Sequence, residues 1–332
     1  MVELFAVCLF INFLIFLNLE KISTFIKLND KPDGKLKKHK TTVPLLGGTV
    51  FLINILALII ITFFFLKDQL ILISLSNREY FSVFFFILSF YFLGLYDDKF
   101  ILKPEKKLII GILICIVLLT VNKNLLITNF SISFYDHAIF LNNFKFFFTI
   151  FCIIILINAL NFYDGINGQS LIFFIIVYSV LALKSSLTMF YLYIILNLIF
   201  LLILNLKNKL FLGDNGIYLI GTVLIIFILY EHNKFNSIVF ADEIFFLLIL
   251  PGYDLLRLSL TRILNGKNAF YGDRNHLQHL LINKFSLFSS NLILAIFASL
   301  PIILFLMINL NFFLTLFIFT ILYILLINKL SK

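Results

Sequence analysis

Apolar runs of near-membrane length recur along almost the whole chain, and they constrain the fold more than any other feature. A spanning helix needs about 17–25 mostly apolar residues. Runs close to that length fall at roughly 3–20, 45–66, 80–96, 107–121, 144–161, 169–183, 187–205, 215–230, 243–263, 287–308 and 311–328. Composition agrees: 62% of residues are hydrophobic and 13% charged, where a soluble domain carries about a quarter charged. The expectation is an all-α integral membrane protein, a polytopic bundle of about 11 transmembrane helices forming a single domain. The first run has no basic segment ahead of it and no small-residue cleavage site, so it reads as a retained helix.

The basic residues then orient the bundle. Eleven spans put the termini on opposite sides, and the loops divide the 26 Lys and Arg residues as 20 against 6. Short loops rich in Lys and Arg stay in the cytoplasm. The N-terminus is therefore expected outside and the C-terminus inside. The net charge of +9 reads as topogenic, with no nucleic-acid partner expected. Cys8, Cys115 and Cys152 all lie inside apolar runs, which argues against disulfides and metal clusters. Residues 122–143 form the longest outer stretch and read as a re-entrant or interfacial segment.

Five polar clusters fall on the cytoplasmic face. The first is "KLKKHKTTVPLLGG", where His39 and the glycines exceed what topology needs and a lipid phosphate could be held. The second is "LYDDK", where Asp97 and Asp98 end an apolar run. Adjacent carboxylates repel and are relieved by a nearby cation, and Lys107 follows about two to three turns later. The third, "NALNFYDGINGQ", places Asn158, Asn161, Asp164 and Asn167 at a helix end. Asparagine is expensive at membrane depth unless paired, so a plain turn does not account for Asn158 and Asn161. The fourth, "FLGDNG", offers Asp214 as a helix cap or as a hard oxygen ligand for magnesium. The fifth, "GDRNHLQHLL", carries Arg274, His276 and His279 as donors toward a diphosphate. Together these groups are the equipment for phosphoryl transfer onto a phosphorylated lipid.

The five clusters, in this order, resemble the polyprenyl-phosphate N-acetylhexosamine-1-phosphate transferases, membrane enzymes of the glycosyltransferase-4 type. The resemblance covers nearly the whole chain. It implies transfer of a sugar 1-phosphate, most simply N-acetylglucosamine 1-phosphate, from a UDP-sugar to undecaprenyl phosphate, with release of UMP. It implies catalytic roles for Asp97 and Asp98, and a magnesium site (manganese in its place) at Asp214 and Asn161. Substrate contacts fall to Lys107, Asp164, Asn167, Arg274, His276, His279 and His39. It also implies a bacterial cytoplasmic membrane location, a cytoplasmic active face, contact with membrane lipids and a homodimer. Within the family, "DRNHLQHLL" is nearer the branch that starts O-antigen, enterobacterial common antigen or teichoic acid linkage units than the muramoyl-pentapeptide branch. One departure is Gln278, which stands where relatives carry a histidine.

The rival from another class is a lipid-linked sugar transporter. That function calls for charges within spans and polar clusters on both faces. Here the midmembrane positions are apolar and the clusters lie on one face, apart from Asp254 and Arg257 within the run at 243–263. A third reading, a scaffold without catalysis, does not explain Asp97, Asp98 and Asp214.

Overall fold

The computed structural model describes residues 2–30, 42–64, 75–266 and 275–331. A helix lies at each of the eleven apolar runs. The chain starts with α1 (Val2–Leu17) and α2 (Leu19–Ile26), then the paired strands β1 (Asn29–Asp30) and β2 (Val43–Pro44). It continues through α3 (Gly47–Phe64), α4 (Asn77–Phe100) and α5 (Pro104–Val121). An antiparallel hairpin follows, β3 (Asn129–Ile132) with β4 (Tyr135–Phe140). Next come α6 (Lys145–Tyr163), α7 (Gln169–Lys184), α8 (Thr188–Leu206), α9 (Gly213–Asn233) and α10 (Ala241–Leu264). The short α11 (Leu277–Lys284), α12 (Leu287–Ile302) and α13 (Phe312–Ser331) complete the order.

Among the described residues, seven helical stretches are long and apolar enough to cross a membrane, and eight are if α1 and α2 count as one bent span. This is the build of a polytopic membrane protein. The 69° bend between α1 and α2 comes where the polar residues Asn18, Glu20 and Lys21 begin, as expected for a chain leaving hydrocarbon. Pro104 opens α5 at its first turn, where a missing N–H costs nothing. Pro301 near the end of α12 is followed by a π-helical turn at Ile303–Met307, a widening that a proline inside a helix can impose. Residues 122–143 are more regular than expected from sequence: β3 and β4 pair within them.

Contacts divide the chain into two compact units. The first holds residues 1–123 and 178–226. In it α1, α3 and α8 pack on one another, as do α4 and α5. The Asn54 amide donates to Asn12 Oδ1 at 2.9 Å, and the Tyr193 hydroxyl donates to the Asn54 carbonyl at 3.0 Å. Polar side chains placed this way satisfy one another inside an apolar bundle. The second unit holds residues 124–177 and 227–332. There α10 packs on α6 and α12, and α11 packs on α12 and α13. Phe245, Phe246 and Phe312 form an aromatic cluster, and Phe134 from the hairpin turn meets Phe312 at 5.0 Å.

Candidate active site

In the first unit the acidic residues collect where the end of α4 meets the start of α9. Asp98 is the cap of α9. Its Oδ1 accepts from the Asp214 N–H at 2.8 Å. Its Oδ2 accepts from the Asn215 N–H at 2.9 Å and from Asn215 Nδ2 at 2.5 Å. A helix start offers unsatisfied N–H groups and a positive dipole end, and a carboxylate answers both. The close approach needs glycine. A Cβ on Gly94 would lie 2.6 Å from the main chain of Asn215. Gly213, just before Asp214, has φ +69°, a conformation that ordinary residues avoid. A third contact comes from Gly47, whose N–H donates to the Phe211 carbonyl at 3.0 Å.

Asp97 faces a different partner. It is buried, its Oδ1 accepts from the Leu102 N–H at 2.7 Å, and its Oδ2 is ion-paired with Lys107. Lys107 Nζ also lies 3.1 Å from Asp214 Oδ2. One ammonium thus sits between two carboxylates. A carboxylate removed from water must be paired, and Lys107 neutralises this one. Among the described residues no three acidic, His or Cys side chains make a ready-made metal cage. The donor set still suits magnesium. That ion takes hard oxygens, commonly one or two carboxylates completed by water and substrate phosphates, and Asp97 with Asp214 offers such a pair.

The second unit carries the other candidates. Asn158 at the end of α6 donates to the Ile154 carbonyl at 2.7 Å, so its amide is satisfied on its own helix. Asn161 lies in the last turn of α6, and Asp164 caps that helix. Asp164 Oδ1 accepts from Ser170 Oγ at 2.8 Å. The main chain of Asn167 accepts from Asn291 Nδ2 at 2.8 Å. His276 is buried, and its Nδ1 lies 2.9 Å from Asp254 Oδ2. Asp254 Oδ1 takes the Leu277 N–H at 3.2 Å, Arg257 Nη2 at 2.6 Å and the Tyr323 hydroxyl at 3.1 Å. The His276 ring stacks on Phe162 with 5.8 Å between centroids. His279 lies one turn further along α11, its ring centroid 6.4 Å from that of His276.

Asp97, Asp98, Lys107 and Asp214 therefore form one cluster in the first unit. Asn161, Asp164, Asn167, His276 and His279 belong to the second. His39 and Arg274 lie outside the described residues. Nothing in the sequence alone singles out Asn215, Gly94, Gln278 and Asn291 as site residues, and Asp254 and Arg257 stand there as exceptions within an apolar run. Asp254 and Arg257 had a signal, because an ionised pair within an apolar run is expensive and is kept only where something uses it.

The glycosyl transferase family 4 model matches residues 80–232. That span contains Asp97, Asp98, Lys107, Asn161, Asp164, Asn167 and Asp214. Residues 80–232 carry the glycosyl transferase family 4 pattern. Similar curated proteins extend the match on both sides. The chain is 26% identical over 292 residues, 84% of its length, to the undecaprenyl-phosphate alpha-N-acetylglucosaminyl 1-phosphate transferase of Salmonella typhi, and covers 76% of that protein. It is 25% identical over 295 residues to the protein of the same name from Escherichia coli K12, again 84% of this chain and 76% of the relative. It is 26% identical over 273 residues, 79% of the chain, to a probable undecaprenyl-phosphate N-acetylglucosaminyl 1-phosphate transferase of Bacillus subtilis, covering 72% of it. The family 4 segment therefore includes the whole acidic cluster, while the histidine segment lies beyond it.

Proposed function

We propose that this chain transfers N-acetylglucosamine 1-phosphate from UDP-N-acetylglucosamine to undecaprenyl phosphate and releases UMP. The observation that carries this reading is the Asp97–Lys107–Asp214 arrangement inside the family 4 segment. The names of the similar proteins support the choice of substrates.

In the reaction an oxygen of the lipid phosphate attacks the sugar-linked phosphorus of the donor. A new phosphorus–oxygen bond forms, the bond from that phosphorus to the bridging oxygen breaks, and UMP leaves with the electron pair. Charge grows on the leaving phosphate, so fixed positive groups lower the barrier. Lys107 would turn its ammonium from the carboxylates to that phosphate. Asp97 would then face the incoming lipid phosphate and take its proton if one is present. Asp98 would hold the start of α9, and with it Asp214, in place. Magnesium, when bound through Asp214 and Asp97, would supply further neutralisation of the diphosphate. Asn161 is proposed as an oxygen ligand for magnesium. Asp164, Asn167, His276 and His279 are proposed to bind the donor, and Arg274 and His39 to contact phosphates. The bacterial cytoplasmic membrane, a cytoplasmic active face, eleven spans and a homodimer complete the proposal.

The test is UMP release by purified protein given undecaprenyl phosphate, UDP-N-acetylglucosamine and magnesium. Wild type releases UMP; Asp97→Asn and Asp214→Asn lose at least 100-fold in rate while remaining folded. Chelation by EDTA stops turnover, and added magnesium restores it. Absence of UMP across a panel of UDP-amino sugars, in folded protein, would move the assignment to a transporter.

A further inference from the structure

Two buried amides hold the ends of one loop in the second unit. Gln278 Nε2 donates to the Phe162 carbonyl at 3.1 Å. Asn291 Nδ2 donates to the Asn167 carbonyl at 2.8 Å. The carbonyls bracket Asp164, whose own carboxylate is fixed by Ser170 at 2.8 Å. Inside the bracket the Gly165 N–H donates to Gln169 Oε1 at 3.3 Å. A Cβ at Gly165 would lie 2.7 Å from the Gln278 side chain, so glutamine and loop are in full contact. Gln278 and Asn291 come from different elements, α11 and α12.

Their burial is informative. Gln278 is 1% exposed and Asn291 6%. In each, the second polar atom, Gln278 Oε1 or Asn291 Oδ1, is buried with no protein partner. An orphaned acceptor is costly, and an apolar side chain would fill either place without that cost. The amides are thus retained for the main-chain bonds they do make.

We infer that Gln278 and Asn291 are positioning residues that clamp the Phe162–Asn167 loop in the form that receives the nucleotide of the donor. The inference rests on the proposed transferase reading, in which Asp164 and Asn167 bind the UDP-sugar donor. Gln278 stands between His276 and His279, so the clamp also ties the histidine segment to the loop. A glutamine fits this task well, since its planar amide reaches a carbonyl and carries no charge to bury. The two bonds act on one short loop, so their effects must depend on each other.

The experiment compares wild type, Gln278→Met, Asn291→Leu, the double variant and Gln278→His. UDP affinity is measured by calorimetry, KM for each substrate by UMP release, and loop protection at residues 162–168 by hydrogen exchange. Each single variant is expected to weaken UDP binding and raise the donor KM by about tenfold, the scale of one hydrogen bond. The KM for undecaprenyl phosphate stays within twofold, and loop exchange speeds up. The double variant loses clearly less than the product of the single losses. Gln278→His, which keeps an N–H, recovers most of the affinity. If Gln278→Met does not fold, Asn291→Leu and Gln278→His carry the test. Unchanged UDP affinity in folded variants, or equal losses for both substrates, overturns the clamp. Wild type that binds UDP without releasing UMP overturns the transferase reading and leaves the clamp to be judged by affinity. Wild type that binds no UDP overturns both.

Discussion

Asp97 and Asp98 are neighbours in sequence with separate duties. Asp98 spends both oxygens on three donors at the start of α9, while Asp97 is paired with Lys107. Replacing the two should therefore give different phenotypes. Asp98→Ala removes a helix cap, a loss of about 1–2 kcal/mol, and should lower both thermal stability and activity. Asp97→Asn keeps the Leu102 contact and should abolish turnover with a smaller change in melting temperature. Thermal unfolding in detergent, run beside UMP release, checks the pair; equal stability losses would show that the duties are not divided. Only part of this was legible in the sequence. "YDDK" announces carboxylates at a helix end, and their repulsion asks for a cation, which Lys107 supplies. The division of labour was hidden because Asp98 answers backbone N–H groups more than a hundred residues away, and a main-chain donor has no sequence signature.

Helices were the most legible elements, because an unbroken apolar run has one stable form in hydrocarbon. The β3–β4 hairpin was less so: "NFSISFYDHAIF" partly alternates polar and apolar residues, yet between apolar runs it reads as interfacial chain. Element packing makes two further predictions. Gly94→Ala puts a methyl 2.6 Å from the main chain of α9, and backbone cannot move aside as a side chain can. A loss of about 1–3 kcal/mol is expected from such overpacking, read as a lower melting temperature together with lost activity. In α10, Asp254→Asn leaves Arg257 without its charged partner and weakens the hold on His276. Breaking a buried pair on one side costs about 3–5 kcal/mol. Asp254→Asn combined with Arg257→Met should unfold at a higher temperature than Asp254→Asn by itself; equal melting temperatures would count against the pairing as the cause.

At the scale of the whole molecule, the charge asymmetry of the loops predicts which side each one faces. A cysteine at Lys209, exposed after α8, should react with a membrane-impermeant thiol reagent only when the cytoplasmic side is opened. A cysteine at Lys123, exposed after α5, should react in intact cells. Reversal of that pattern would overturn the orientation. The seam between α4 and the start of α9 has a wider consequence. Gly94 and Gly213 carry no reactive group, yet no larger residue fits beside Asn215 and Asp98. In a saturation-mutagenesis survey scored by growth, both positions should be as intolerant of change as Asp97. Such a survey would group residues that make room with residues that react, and a biochemical assay of folded variants would be needed to separate the two kinds.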